Sequence, residues 1–416
     1  MEILRISTVG SVDHGKSTLI GRLFLDSKRI FQDQVQAIEK ASKKMGEEFN
    51  LALVADGLKA EREQGITIDV AHKYFSTPNR RFILADTPGH VQYTRNMITG
   101  ASNSNATLII IDAKEGITEQ TKRHTFLSGL LQIPHLIVCI NKMDLSNYSQ
   151  DVFEKIKKEF EDFAFKIDVK DIHFIPISAL HGDNVISKSN KTPWYQGPSL
   201  LYLLENIYTR SDEDFRDCRF PVQGVIRISE NKNPFKKEEH RSYAGRVAGG
   251  IFEVGDKIKV LPSGFESKIK NISTFDGSLR KAEPKMSVAL ELEDDIDISR
   301  GDMIVRSANI PNISQDIDLM VCWLNPTKLD PTKKYLVKHT TKLTKCFIQE
   351  IVYKIDINTL DRNLKDKEIG MNEIARIKIR TNHPLFYDPY TKNKITGSLI
   401  LIDEQTNETV AAGMIR

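Results

Sequence analysis

Residues 10–17 read GSVDHGKS and follow directly on the apolar run Leu4-Arg5-Ile6-Ser7-Thr8-Val9. A glycine, four residues, then Gly15, Lys16 and Ser17 behind a strand is the pattern of a phosphate-cradling loop, in which successive backbone N–H groups wrap a polyphosphate. Each residue type has a physical reason to be there. Gly10 and Gly15 permit backbone angles and a close approach that a side chain would block. Lys16 brings a compact point charge to the outer phosphates, and the Ser17 hydroxyl is a ligand for magnesium. Ser11, Val12, Asp13 and His14 form the body of the loop, and Thr18 continues the helix that follows it. That helix places Leu19, Ile20, Leu23 and Phe24 on one face, so the positive end of its dipole meets the same anion.

Working outward, the next pieces come in a fixed order. The run DGLKAEREQGITI carries Gly65-Ile66-Thr67-Ile68 ahead of a strand signal at Val70–Ser76. A nucleotide-hydrolysing fold of this kind needs a segment whose threonine reaches magnesium and whose backbone senses the terminal phosphate, and Thr67 sits at the chain distance for it. Arg81–Ala85 then reads as a buried strand ending in Asp86-Thr87-Pro88-Gly89-His90. A carboxylate at that position holds magnesium through water, and Gly89 lets its amide meet the terminal phosphate. Taken alone, the string is explained as a strand exit rich in Asp, Pro and Gly. The order of the pieces overrides that bland reading.

Two further strands, Ala106–Asp112 and His135–Ile140, lead to Asn141-Lys142-Met143-Asp144. The Asp144 carboxylate is acceptor-only, which suits guanine because its ring N–H and exocyclic amine are adjacent donors, and adenine presents no such pair. Strand Ile172–Ile177 delivers Ser178-Ala179-Leu180, whose amides are expected to cap the guanine oxygen. Strands alternate with helices and every motif stands at a strand's carboxyl end, so the fold class is α/β with a doubly wound parallel sheet.

Length and composition frame the rest. At 416 residues the chain is too long for one ordinary core, and 40% apolar with 28% charged residues is the balance of a soluble globular protein. No stretch approaches a membrane span and residues 1–30 carry no signal-peptide pattern, so the cytoplasm is expected and membrane association is not. Cys139, Cys218, Cys322 and Cys346 show no metal spacing and read as buried free thiols. The net charge of +3 leaves no segment basic enough to call for nucleic acid. After SDEDFRD, a polar linker, short alternating segments such as Val222–Ile228, Lys257–Leu261 and Met286–Leu292 are broken by Gly255-Asp256, Ser263-Gly264 and Asp276-Gly277, the style of antiparallel barrels. The expected division is residues 1–216, a phosphate-loop domain, then β-barrels over 217–310 and 311–416.

The ordered set GSVDHGKS, GITI, DTPGH, NKMD and SAL, followed by two β-domains, resembles the elongation factor Tu class of GTPases over the whole chain. Within that class DGLKAEREQGITIDVAHKYF, HVQYTRNMITGAS, WYQGPSLLYLLE, FPVQGVIR, YAGRVAGG, VLPSG, IDISRGDMIV and ITGSLILIDEQTNETVAAGMI are similar to the GTP-binding subunits of bacterial sulfate adenylyltransferase. The resemblance implies a GTPase with GTP and Mg²⁺ as cofactors. It implies Lys16, Thr67 and His90 as catalytic groups, with His90 orienting the attacking water between an apolar gate of Val12 and Ile66. It also implies Ser17, Thr67 and Asp86 around the metal. GTP contacts then fall on residues 10–18, on Asp86, Thr87, Pro88, Gly89 and His90, on Asn141, Lys142, Met143 and Asp144, and on Ser178, Ala179 and Leu180. The implied partner is a small adenylylating subunit that brings ATP and sulfate, making adenylylsulfate and pyrophosphate in sulfate assimilation. The alternative is an elongation-factor-like GTPase delivering aminoacyl-tRNA. In one place the chain departs from the family pattern. ENKNPFKKEEHRS before Tyr243 replaces a shorter turn, with Ser242 where a glycine is usual. No second GxxxxGK[ST] follows residue 17, so the adenylylsulfate kinase fused to some relatives is not expected.

Overall fold

The computed structural model describes residues 2–26, 51, 70–88, 94–167, 169, 171–209, 214–230 and 238–416. They divide into two compact units, Met1–Ser211 with Asp356–Asp361, and Asp212–Ile355 with Arg362–Arg416. Among the described residues no helix is long and apolar enough to cross a membrane.

The first unit is built on one sheet whose strands are β1 (Ile3–Gly10), β2 (Ala71–Ser76), β3 (Arg81–Asp86), β4 (Ala106–Asp112), β5 (His135–Asn141) and β6 (Asp171–Pro176). They pair in the order β2-β3-β1-β4-β5-β6, parallel except for β2. The chain therefore builds outward from β1 to one side through β3, then crosses to the other side at β4. In sheets of this kind ligands bind outside the carboxyl ends where that reversal occurs. All of β4 is buried, as is nearly all of β5, because helices cover both faces, so these strands are runs of Ile, Leu and Val without alternation.

Helices α1 (Lys16–Asp26), α2 (Thr94–Ala101), α3 (Glu119–Leu130), α4 (Gln150–Ala164) and α5 (Leu200–Asn206) complete the layers. Leu19, Ile20 and Leu23 of α1 lie in one cluster with Leu4, Ile6, Leu108, Ile110, Ile137 and Cys139, and the apolar face expected of that helix is the one buried. In α4, Phe153, Ile156, Phe160 and Phe163 are buried while the Lys/Glu-rich remainder faces water, and the Ser149 hydroxyl caps the start by accepting from the Val152 amide at 3.4 Å. All four cysteines are free and buried. Residues 30–60, whose sequence reads as helical, lie outside the described residues apart from Leu51.

The second unit holds two closed antiparallel barrels. In the first, Lys257–Leu261, Met303–Arg306, Arg219–Glu230, Glu238–Arg246, Ser287–Leu292 and Glu266–Thr274 pair in that order and the last closes on the first. In the second, Lys334–His339, Ser398–Asp403, Thr409–Ile415, Asn312–Trp323, Ile374–Tyr387 and Lys342–Ile355 do the same. Closure removes the free strand edges that would otherwise template aggregation. The turn glycines Gly255 and Gly264 take φ of +94° and +78°, the left-handed region that favours glycine.

Asp217, read from sequence as linker, is instead buried and pairs with Lys392, while Arg219 forms a two-pronged ion pair with Asp388 at 2.8 and 2.9 Å. Both partners of that pair are almost wholly inaccessible. The remaining Arg219 donors go to the carbonyls of Cys218 and Asn309 at 3.0 and 2.9 Å, and Thr396 donates to Asp388 at 2.8 Å. With every polar group satisfied the pair is stable, and with one removed the other is stranded without water. Arg219→Ala is thus expected to cost about 3–5 kcal/mol, and replacing both partners by apolar residues to recover most of it. Urea unfolding of the two variants against the wild type checks this.

Candidate nucleotide-binding site

The phosphate loop leaves β1 at Gly10, which pairs with Ile110 of β4 so closely that a methyl group there would stand 2.9 Å from the Ile110 carbonyl oxygen. Gly15 adopts φ +86°, and a side chain on it would run into the Asn141 amide. Both glycines are demanded by contact, and Gly15 by its backbone angle as well. Asp13 takes φ +65°, completing the curl, and the Gly15 carbonyl accepts from the Leu19 amide at 2.9 Å as α1 begins. That helix has no acidic residue in its first turn, so nothing opposes an anion at its positive end.

The loop is tied down from four sides. Ser11 and Thr118 share a hydroxyl hydrogen bond of 2.9 Å. His14, fully buried, meets the Ile110 carbonyl through Nδ1 at 3.1 Å and Glu115 through Nε2 at 3.0 Å. Asn141 donates through Nδ2 to the His14 carbonyl at 2.8 Å, and its Oδ1 accepts from the Ala179 amide at 2.9 Å. One side chain thereby joins three sequence-predicted stretches, the phosphate loop, the NKMD run and the SAL turn. Lys16, mostly buried, donates to the Thr87 carbonyl across the mouth of the loop. Thr87 in turn donates to the Thr8 carbonyl at 2.5 Å, and Thr8 to the Asp86 carboxylate at 3.2 Å. Asp86 is buried at the end of β3, beside Thr8 in register. Val12 and Ser17 are half-buried. Ile66, Thr67, Gly89 and His90 lie outside the described residues.

Farther along the carboxyl edge of the sheet, β5 runs out into a 3₁₀ turn at Met143–Ser146. Met143 is buried and its amide bonds the Ile177 carbonyl at 3.2 Å, anchoring the turn to β6. Lys142 takes φ +61° and its ammonium pairs with Asp112 at 2.7 Å. Burial alone would raise the Asp112 carboxyl, but the bonds from Lys142 and from the Lys114 amide outweigh it and hold the group below the usual carboxylate range. The Asp144 side chain is 16% exposed, with His181 Nε2 4.0 Å from its carboxylate. Among the described residues it accepts no closer bond. Its acceptor capacity is therefore available to a ligand.

Ser178, Ala179 and Leu180 are brought beside that turn, but two of their amides are spoken for, Ser178 N by the Asp183 carbonyl and Ala179 N by Asn141. Arg22 of α1 fixes the turn from below through the carbonyls of Ala179, at 3.2 Å, and Leu180. The structure adds groups that the sequence reading missed, namely Asp112, Arg22, Glu115 and His124. The position of Asp112 at a strand's carboxyl end was a signal of the same kind as Asp86. His124 had no signal. It is buried on α3, accepts from Gln120 at 3.0 Å and leaves Nδ1 without a partner. Burial, then the nearby charges of Lys16 and Arg123, push its imidazole down to about 3, so it stays neutral.

The family model described as the elongation factor Tu GTP binding domain matches residues 1–212, and that described as GTP-eEF1A C-terminal domain-like matches residues 316–416. Sulfate adenylyltransferase subunit 1 of Bacteroides fragilis is 50% identical over 417 residues, covering 100% of this chain and 86% of that protein. Subunit 1 of Alteromonas mediterranea is also 50% identical, over 100% of this chain and 87% of that protein. The bifunctional enzyme CysN/CysC of Mycobacterium tuberculosis is 52% identical over 99% of this chain and 67% of that protein.

Proposed function

Because the chain belongs to the sulfate adenylyltransferase subunit 1 family, within the elongation factor Tu-type GTPases, we propose that it is the GTP-hydrolysing subunit of a sulfate adenylyltransferase. Its hydrolysis of GTP drives formation of adenylylsulfate and pyrophosphate from ATP and sulfate. One observation carries this reading: Asn141 ties the phosphate loop to the stretch that carries Asp144 at the carboxyl ends of one sheet, in a chain half identical throughout to proteins named as that subunit. The same identities favour it over the tRNA-carrying alternative.

The phosphate end of the site is assigned to residues 10–18, with Lys16 moving from the Thr87 carbonyl to the outer phosphates when they are present. Contacts to GTP are assigned also to Asp86, Thr87, Pro88, Gly89 and His90, with His90 as the group that orients the attacking water. Magnesium is a hard cation that takes oxygen ligands and usually shares them between one or two protein groups and the nucleotide. The Ser17 and Thr67 hydroxyls and the Asp86 carboxylate suit that role. Bound there, the ion would neutralise charge on the phosphates. The base end is assigned to Asn141, Lys142, Met143, Asp144 and the turn Ser178–Leu180.

The partner is a small adenylylating subunit, which holds ATP and sulfate, and the assembly works in the cytoplasm. The sulfate–phosphate anhydride is a high-energy bond, so its formation from ATP is unfavourable without a second source of free energy. Coupling requires an element whose position depends on the terminal phosphate and which also touches the partner. Thr67 and the segment 86–97 fill that description. With the partner present, GTP is expected to raise adenylylsulfate well above the level reached with ATP and sulfate alone, and a non-hydrolysable GTP analogue is expected not to. Equal product with GTP, with the analogue and with neither would refute the coupling.

A further inference from the structure

Three non-glycine residues within seven positions, Lys142, Asn147 and Tyr148, adopt left-handed φ of +61°, +51° and +54°. They bracket Asp144. Such a conformation persists only where its surroundings over-determine it. At the first end the surroundings are the Lys142–Asp112 ion pair already described. At the second end they are a polar cluster that the site above does not use.

Tyr148 donates its phenol hydrogen to Asp183 Oδ2 at 2.6 Å. Ser189 donates to Asp183 Oδ1 at 2.7 Å, and Lys191 reaches both Asp183 Oδ2 and the Tyr148 oxygen at 3.1 Å. The Lys191 ammonium also lies 5.1 Å above the Tyr148 ring, and Trp194 donates to the Tyr148 carbonyl at 3.0 Å. The Tyr148 amide returns to the Met143 carbonyl at 2.8 Å, so whatever holds Tyr148 holds the turn that carries Asp144. From its other side, Asp183 accepts the Ser178 amide on its backbone carbonyl at 3.2 Å. Burial would raise its carboxyl, but the bonds from Tyr148, Ser189 and Lys191 prevail and keep it below the usual range, so it remains an anion. A single residue thus grips the Asp144 turn with its side chain and the Ser178–Leu180 turn with its backbone.

We infer that the Tyr148–Asp183–Lys191 cluster is a positioning clamp that holds Asp144 in register with the Ser178–Leu180 turn and so sets selectivity for guanine. The inference rests on the reading of Asp144 proposed above. These residues act through Asp144 and touch no ligand themselves.

The test uses the whole chain and compares GTP with ITP, which lacks the exocyclic amine that Asp144 reads. Asp183→Asn keeps the shape but places an amide among three donors, and is expected to lower GTP affinity by about tenfold, in line with the loss of a hydrogen bond to a charged group. ITP affinity is expected to fall much less, so the GTP/ITP ratio shrinks. Tyr148→Phe, which removes only the hydroxyl, should shrink it in the same direction. A clamp of purely structural importance would weaken both nucleotides alike, and an unchanged ratio in both variants overturns the inference. Asp144→Asn measured alongside separates the two failures. If it alters base preference while the clamp variants leave the ratio intact, the clamp is wrong. If it leaves base preference unaltered, the reading of Asp144 is wrong and the clamp falls with it.

Discussion

Asp144→Asn is expected to lower GTP affinity by about 10⁴-fold and to make xanthosine triphosphate the preferred nucleotide. The carboxylate offers two acceptor oxygens to the two adjacent donors of guanine, and among the described residues the protein gives it no closer partner than His181 at 4.0 Å. An asparagine turns one of those oxygens into an N–H donor, which faces the guanine amine donor to donor. Xanthine carries an oxygen where guanine carries that amine, so the same amide then finds an acceptor. The magnitude is large because the donors left unpaired are desolvated, and an unmade bond in such a place costs more than a made one contributes. Titration of the purified variant with both nucleotides measures it. A variant that still prefers GTP removes Asp144 from base recognition.

Lys16→Ala is expected to weaken GTP by about 10²- to 10³-fold, the loss typical of truncating one partner of a buried, hydrogen-bonded charge pair. Its ammonium is mostly buried and held at the mouth of the loop by the Thr87 carbonyl, so it is already desolvated and positioned before a phosphate arrives. Exchanging the Thr87 carbonyl for a phosphate oxygen offsets part of that contribution. GDP affinity should fall alongside, and guanosine, which has no phosphates, should bind the variant as it binds the wild type. Guanosine binding that falls in parallel with GTP would instead signal a collapsed site.

The short-range rules made the first unit legible. A phosphate loop demands a glycine where the strand ends and another where the helix begins, and the helix demands an apolar face at fixed spacing. Each of those demands is met within a few residues of chain, so the strands Ala106–Asp112 and Lys257–Leu261 coincide with their sequence expectation residue for residue. The alternation and turn pairs likewise carried the antiparallel character of the second unit.

What the motifs could not carry is how they are held together, because that depends on groups far apart in the chain. Asn141 reaches His14 across 127 positions, and Arg22 reaches Leu180 across 158. The short string SDEDFRD has the composition of a linker, yet Asp217 is buried because Lys392 and Asn309 come to it. Local sequence alone therefore determined which elements form and which side chains are candidates for the chemistry, since propensity, periodicity and loop geometry act over a turn or two. Tertiary structure alone decided which strand lies beside which, that one asparagine links three motifs, and that Arg219 and Asp388 sit in the interior as a pair. A charge is buried only where its partner arrives from elsewhere, and nothing in the residues on either side of it announces that partner.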